Sequence, residues 1–355
     1  MACATTLLAA CRETPRPEPS AAGASGIATV TAGLRPAAAS AAPDAGVPPL
    51  VRVSELAPAA PPDACPPTMV YVAGGEFWMG SARNQGAREE RPRFLTRVAD
   101  FCIDTYEVTS ASYVQCVEHG QCSAAHAARG TCNAGEREDH PINCVDWTQA
   151  DTYCKSQGSR LPTELEWEYA ARGGKSYGRY SWGADPPDER SCWRNPQTCS
   201  VGSYAPGAFG LHDMSGNVWE WTNDWFGSYP WPALTGRAKV YRGGGWGRRS
   251  EKWLSTTLRN RTTPSSWSSH LGFRCARLAK DARCPFGLGE EPGFCRHGVL
   301  GVECPGDQSF NGQRCAPPGA PPCARNEDSV PGHGCVRKRG EDPTEDGSAP
   351  PSPEE

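Results

Sequence analysis

The chain has 355 residues, of which 18 are cysteine, 39 glycine and 34 proline, and its formal net charge is −4. So mild a charge, with no basic stripe, argues against a nucleic-acid partner, and so many cysteines argue against a reduced cytosol. The chain is predicted to be exported and disulfide-bonded, with much of its length in loops.

Residues 1–11 form a short apolar run of small residues ending Leu8-Ala9-Ala10-Cys11, which resembles a bacterial lipobox. It reads as a lipoprotein-type signal, with Cys11 as the lipidation site and the cell envelope as the location. The run is too short to span a membrane, and no other apolar run is long enough. Residues 12–64 are rich in Ala, Pro, Ser and Gly, with few aromatics and little charge. Such a segment buries too little apolar surface to offset its ordering entropy, so it reads as a flexible tether.

Order is predicted from Cys65. Met69 to Ser81 reads as a hairpin, two apolar runs around Gly74 and Gly75. Phe101 to Val108 reads as a strand leading into a helix capped at Thr109 or Ser110. Asp146 and Gln149 have capping-box spacing, as do Thr163 and Glu166, and they predict helices ending at Gly158 and at Gly173-Gly174. Loops, turns and short strands follow to about Leu278. From Cys284 to Cys335, six cysteines stand among Gly and Pro with almost no apolar core, so 281–337 reads as a small disulfide-held module. The acidic, Pro-rich stretch 338–355 reads as a disordered tail.

Seven motifs in one order carry a resemblance. They are Gly74–Gly80 (GGEFWMG), Tyr106–Thr109 (YEVT), His140–Trp147 (HPINCVDW), Arg160–Arg172 (RLPTELEWEYAAR), Gly210–Trp225 (GLHDMSGNVWEWTNDW), Arg242–Trp246 (RGGGW) and Gly272–Cys275 (GFRC). Together they resemble the formylglycine-generating enzyme, or sulfatase-modifying factor, domain over about residues 68–279, within a domain drawn at 65–280. The resemblance implies an α+β fold, related to the C-type lectin fold, with little regular secondary structure. It implies a disulfide between Cys154 and Cys275. It also implies a calcium site from the side chains of Asp213 and Glu220 and the carbonyls of Gly216 and Val218, oxygen ligands that suit a hard cation. The competing reading has Asp213 and Glu220 only capping turns. A second family calcium loop is rewritten here between Cys192 and Cys199, which are predicted to pair. Cys65 is expected to pair with Cys102, and Cys116, Cys122, Cys132 and Cys144 among themselves.

The resemblance also implies copper(I) held by two thiols, since soft ligands suit that ion. Arg242 to Arg274 contains no cysteine, and Arg248 or Glu251 stands where a thiol belongs. Copper chemistry is therefore not expected. The seven histidines include no pair at i, i+4, so the iron chemistry of related enzymes has no evident ligands; His140 reads as structural, and His212 as a candidate lining a cleft. Glu164, Glu166 and Glu168 resemble a catalytic set, but Glu166 reads as a cap and Glu168 as an ion-pair partner. Trp219, Trp221 and Trp225 read as core. Trp246, Arg248, Arg249 and Trp253 fall in the stretch that forms the family's substrate cleft and read as a binding surface for a protein or peptide. The function expected is an exported, non-catalytic binding or scaffolding protein. The alternative is an oxidoreductase of the family, a metal-dependent oxygenase or formylglycine-generating oxidase acting on a thiol substrate.

Overall fold

A computed structural model describes residues 61–284, except positions 62, 129, 177, 232 and 248, and separate stretches of 290–337. The signal with Cys11, nearly all of the tether, the tail 338–355 and Arg248 lie outside the described residues.

The elements in chain order are β1 (Met69–Val72), β2 (Gly75–Met79), β3 (Phe94–Val98), β4 (Phe101–Asp104), α1 (Ser110–Glu118), α2 (Trp147–Ser156), α3 (Glu164–Ala171), β5 (Trp219–Trp225), β6 (Lys239–Arg242), β7 (Arg259–Thr262), β8 (Leu271–Gly272) and β9 (Ala276–Leu278). They form three small sheets, ordered β1-β4-β9, β2-β3 and β7-β6-β5-β8. This is the α+β fold with little regular structure that the resemblance implies. No described helix is long and apolar enough to cross a membrane.

The predicted hairpin between Met69 and Ser81 does not form. β1 pairs with β4 and β2 with β3, so the two apolar runs belong to different sheets. The reason lies at Gly74, where any Cβ would collide with the Val98 carbonyl. Its N–H donates to Asp100 Oδ1 at 2.7 Å, and Asp100 Oδ2 accepts the Tyr71 hydroxyl at 2.8 Å. Asp100 thus holds the crossover where a hairpin turn was expected.

The helix caps follow the sequence. Thr109 accepts from the Ser112 N–H, and both capping boxes form, at Asp146 with Gln149 and at Thr163 with Glu166. Helix α3 is buried along all eight residues, so it is the axis of the core and not an amphipathic surface helix. Trp167 packs with Phe77, Met79, Phe94 and Phe101 in one apolar cluster. Trp219 and Trp221 anchor a second, with Tyr113, Tyr153 and Phe273.

Burying α3 buries its three glutamates, and each must then meet a cation. Glu164 pairs with Arg259 at 2.6 Å, Glu166 with Arg160 at 2.6 Å, and Glu168 with Arg172 at 2.7 Å and also with Arg242. Glu166 is in addition the cap of its own helix, accepting the Thr163 N–H at 2.8 Å.

Disulfides join Cys65 to Cys102, Cys116 to Cys122, Cys132 to Cys144, Cys154 to Cys275 and Cys192 to Cys199. Beyond β9 lie β10 (Glu290–Glu291), β11 (Phe294–Cys295), β12 (Val299–Val302), β13 (Ser309–Phe310), β14 (Cys315–Ala316), β15 (Glu327–Val330) and β16 (Gly334–Arg337). Cys284 is joined to Cys295. β12 pairs antiparallel with β3 and extends the β2-β3 sheet to three strands. Val299 and Val302 pack against the main core, so this cysteine-rich stretch shares apolar contacts with it.

Candidate cation site and aromatic cleft

The run after Gly210 is a loop leading into β5. Asp213, Gly216 and Asn217 have left-handed backbone angles, φ +61°, +117° and +53°, which glycine and short polar residues tolerate best. A side chain at Gly216 would collide with the Ser191 hydroxyl. The loop is tied from three sides. Its Gly216 N–H donates to the Gly243 carbonyl at 2.8 Å, the Trp246 N–H to the Asn217 carbonyl at 2.7 Å, and the Cys199 N–H to Asn217 Oδ1 at 3.0 Å.

Asp213, Gly216, Val218 and Glu220 stand beside a carboxylate the sequence did not single out. Glu107, just after β4, accepts the Val218 N–H at 3.0 Å and Asn217 Nδ2 at 2.6 Å. Its motif was visible, but no spacing links position 107 to the run more than a hundred residues later. Burial, with Asp213 and Glu220 nearby, pushes its carboxyl well above the usual range. Burial also raises Asp213, whose Oδ2 accepts the Gly202 N–H at 2.7 Å. Glu220 is fully buried and is gripped by Arg274 through two hydrogen bonds, of 2.7 and 2.8 Å, while Trp167 Nε1 donates to it at 2.8 Å.

Three carboxylates therefore surround one guanidinium and, when all are ionised, leave two negative charges uncompensated. A divalent cation held by oxygens would compensate them, so the residues fit calcium on charge and on donor type. Among the described residues no three His, Cys, Asp or Glu side chains could hold a metal by themselves. A site here thus needs backbone carbonyls as well, and the Gly216–Val218 backbone runs beside the cluster, with the Val218 N–H on Glu107. Glu220 is its most committed member, since both its oxygens already accept hydrogen bonds. Glu107 also borders a cavity of about 620 Å³, together with Asp104, Tyr106 and Tyr153. Burial pushes the Asp104 carboxyl up to about 7.

The expected cleft is only partly assembled. Trp246 stacks on His270 with ring centres 4.2 Å apart, and its Nε1 donates to the Ser269 carbonyl at 3.0 Å. Trp253 meets Trp219 edge to face at 6.2 Å. Both tryptophans thus lie at the start of β5. Arg249 is exposed, and its carbonyl accepts Arg194 Nε at 3.3 Å, which leaves it outside that aromatic contact. Glu251 pairs at the surface with Arg179 at 3.4 Å. Every cysteine whose side chain is described is disulfide-bonded, so among them none offers a free thiol. His212 meets Tyr106 in a tilted ring contact at 4.8 Å and bonds the Tyr204 carbonyl at 2.9 Å; His140 Nδ1 lies 2.8 Å from the Thr198 hydroxyl. Trp225 is half-buried, with the Lys239 ammonium 4.1 Å from its ring centre.

A family model described as the sulfatase-modifying factor enzyme 1-like domain matches residues 54–279. The formylglycine-generating enzyme of Streptomyces coelicolor is 33% identical over 279 residues, covering 59% of this chain and 89% of that protein. A protein named serine/threonine-protein kinase pkn1, from Chlamydia pneumoniae, is 32% identical over 235 residues, covering 59% of this chain, and the match spans 38% of that protein's length. Among solved structures, PvdO from Pseudomonas aeruginosa is 28% identical with a TM-score of 0.51, covering 59% of this chain and 94% of PvdO.

Proposed function

Because the chain belongs to the sulfatase-modifying factor enzyme 1-like domain family, we propose that it keeps the family's fold as a binding or scaffolding protein without thiol–copper chemistry. In this reading it is exported and lipid-anchored through Cys11. Calcium stiffens the loop before β5, and the surface around Trp246 and Trp253 takes a protein or peptide ligand. The observation that carries the reading is the missing thiol pair. Residues 243–274 contain no cysteine, and Cys199 and Cys275, which flank the stretch, are each spent in a disulfide. The Streptomyces coelicolor relative is named a formylglycine-generating enzyme, and this chain is proposed not to share that activity.

Metal analysis of the purified chain, with an assay for aldehyde formation on a cysteine-containing sulfatase peptide, tests this. Calcium without redox metal, and no aldehyde, is the expected result. Stoichiometric iron or copper, or any aldehyde, would instead establish the oxidoreductase reading and mean that residues other than a cysteine pair carry the chemistry.

A further inference from the structure

A second cavity, of about 530 Å³, lies past the end of β5 opposite to Trp246 and Trp253. Five arginines line it: Arg83, Arg88, Arg91, Arg93 and Arg261. Four come from the connection between β2 and β3, Arg93 at its last position, and Arg261 comes from β7. Against them stand two carboxylates, Glu89 and Glu303. Only one of the five guanidinium groups has a carboxylate within 4 Å among the described residues. That one is Arg93, whose Nε lies 3.2 Å from Glu303 Oε2. Neither of those two atoms makes an aligned hydrogen bond, so the pair is a loose one.

The wall carrying these cations is built to stay in place. Glu90 turns away from the cavity and accepts hydrogen bonds from the Ala87 N–H at 2.9 Å, the Ser81 hydroxyl at 2.6 Å and the Thr257 hydroxyl at 2.8 Å. Arg259, neutralised by Glu164, donates to the Gly227 carbonyl at 2.7 Å and to the Glu89 carbonyl at 3.3 Å, and so fixes two sides of the rim. Arg91 Nη1 donates to the Arg83 carbonyl at 2.6 Å, and Arg261 stacks over Phe226 at 3.9 Å. The local carboxylate that could have neutralised the wall, Glu90, is thereby spent on scaffolding. Like charges gathered this way repel one another, a cost that a bound anion would remove.

We propose that this cavity binds a tetrahedral oxyanion, a phosphate or sulfate group carried on a small molecule. Guanidinium forks pair well with such oxygens. Donors spread along the β2–β3 connection and arriving from β7 suit an ion whose oxygens point in several directions, more than a flat carboxylate. Glu303, delivered by the strand that pairs with β3, is a built-in competitor at Arg93. Its own N–H donates to the Arg93 carbonyl at 2.9 Å, which keeps the carboxylate at the rim.

The test titrates the whole chain with pyrophosphate, inorganic sulfate and citrate by calorimetry. Saturable binding of pyrophosphate is expected, weakened by about tenfold or more in the double variant Arg88→Ala/Arg261→Ala, which removes two charge-assisted contacts. Glu303→Gln should tighten binding by roughly three- to tenfold, because it releases Arg93 and removes a repelling charge. Misfolding does not produce a gain of that kind. Saturable binding of neither pyrophosphate nor sulfate to the wild-type chain, or equal affinities in all variants, would overturn the proposal. Citrate binding as tightly as pyrophosphate would overturn the assignment to tetrahedral ions. Sulfate binding alone, lost in the double variant, would keep the site and name the sulfate ester as its source of charge.

Discussion

At the scale of single residues, buried charge dominates this fold. Burial alone would push the Glu168 carboxyl up, yet Arg242 and Arg172 hold it below the usual carboxylate range. Glu168→Ala would leave two guanidinium groups inside the core and is expected to cost about 3–5 kcal/mol in denaturant unfolding. Arg97→Ala, which breaks an exposed pair with Glu76, should cost no more than about 1 kcal/mol. The carboxylates at and beside the candidate cation site have the opposite sign. Burial lifts Asp104 from 3.8 to about 7, and Glu107 and Asp213 rise as well. The folded chain then holds protons the unfolded chain has released, so without calcium this contribution is fully present below about pH 4. It is lost as the pH rises towards 7. Calcium bound at the proposed site would favour the ionised forms of Glu107 and Asp213, so its stabilising effect is expected to grow over that window; melting curves at pH 4.5 and 7.5, with calcium or with chelator, would read this. The sequence made Glu166 legible as a cap because its partner is three residues away. It left Glu107 and the Glu164–Arg259 pair hidden, because their partners are set by tertiary contact across about a hundred positions.

Elements show the same division between near and far. All three helix starts were legible, since a cap is a local hydrogen bond between residues three apart. The hairpin at Gly74 was misread because an apolar run does not say which strand it will pair with, and Asp100 decides that from a distance. Cross-links can be ranked in the same way. Opening Cys154–Cys275, which spans 121 residues, is expected to cost about 5 kcal/mol in the chain-entropy model, against about 2 kcal/mol for Cys116–Cys122, which spans 6. Alanine pairs at each bridge, compared by chemical unfolding, would show whether that order holds.

Over the whole molecule, the C-terminal stretch is part of the architecture. β12 covers the edge of β3, and an uncovered edge is a template for pairing with another chain. A chain ending at Lys280 should therefore self-associate as concentration rises, which sedimentation would detect, while the full chain stays monodisperse. The cysteine pairing has a consequence of its own for how the protein is made. In an oxidising compartment that joins cysteines in the order they arrive, Cys65–Cys102, Cys116–Cys122 and Cys132–Cys144 all close correctly, because each is a pair of neighbours in the sequence. Cys154 is the first exception. It must wait while Cys192 and Cys199 pass, since its native partner is Cys275. A purely sequential oxidant would link Cys154 to Cys192 and Cys199 to Cys275, so correct maturation of the domain calls for a disulfide isomerase at this one step.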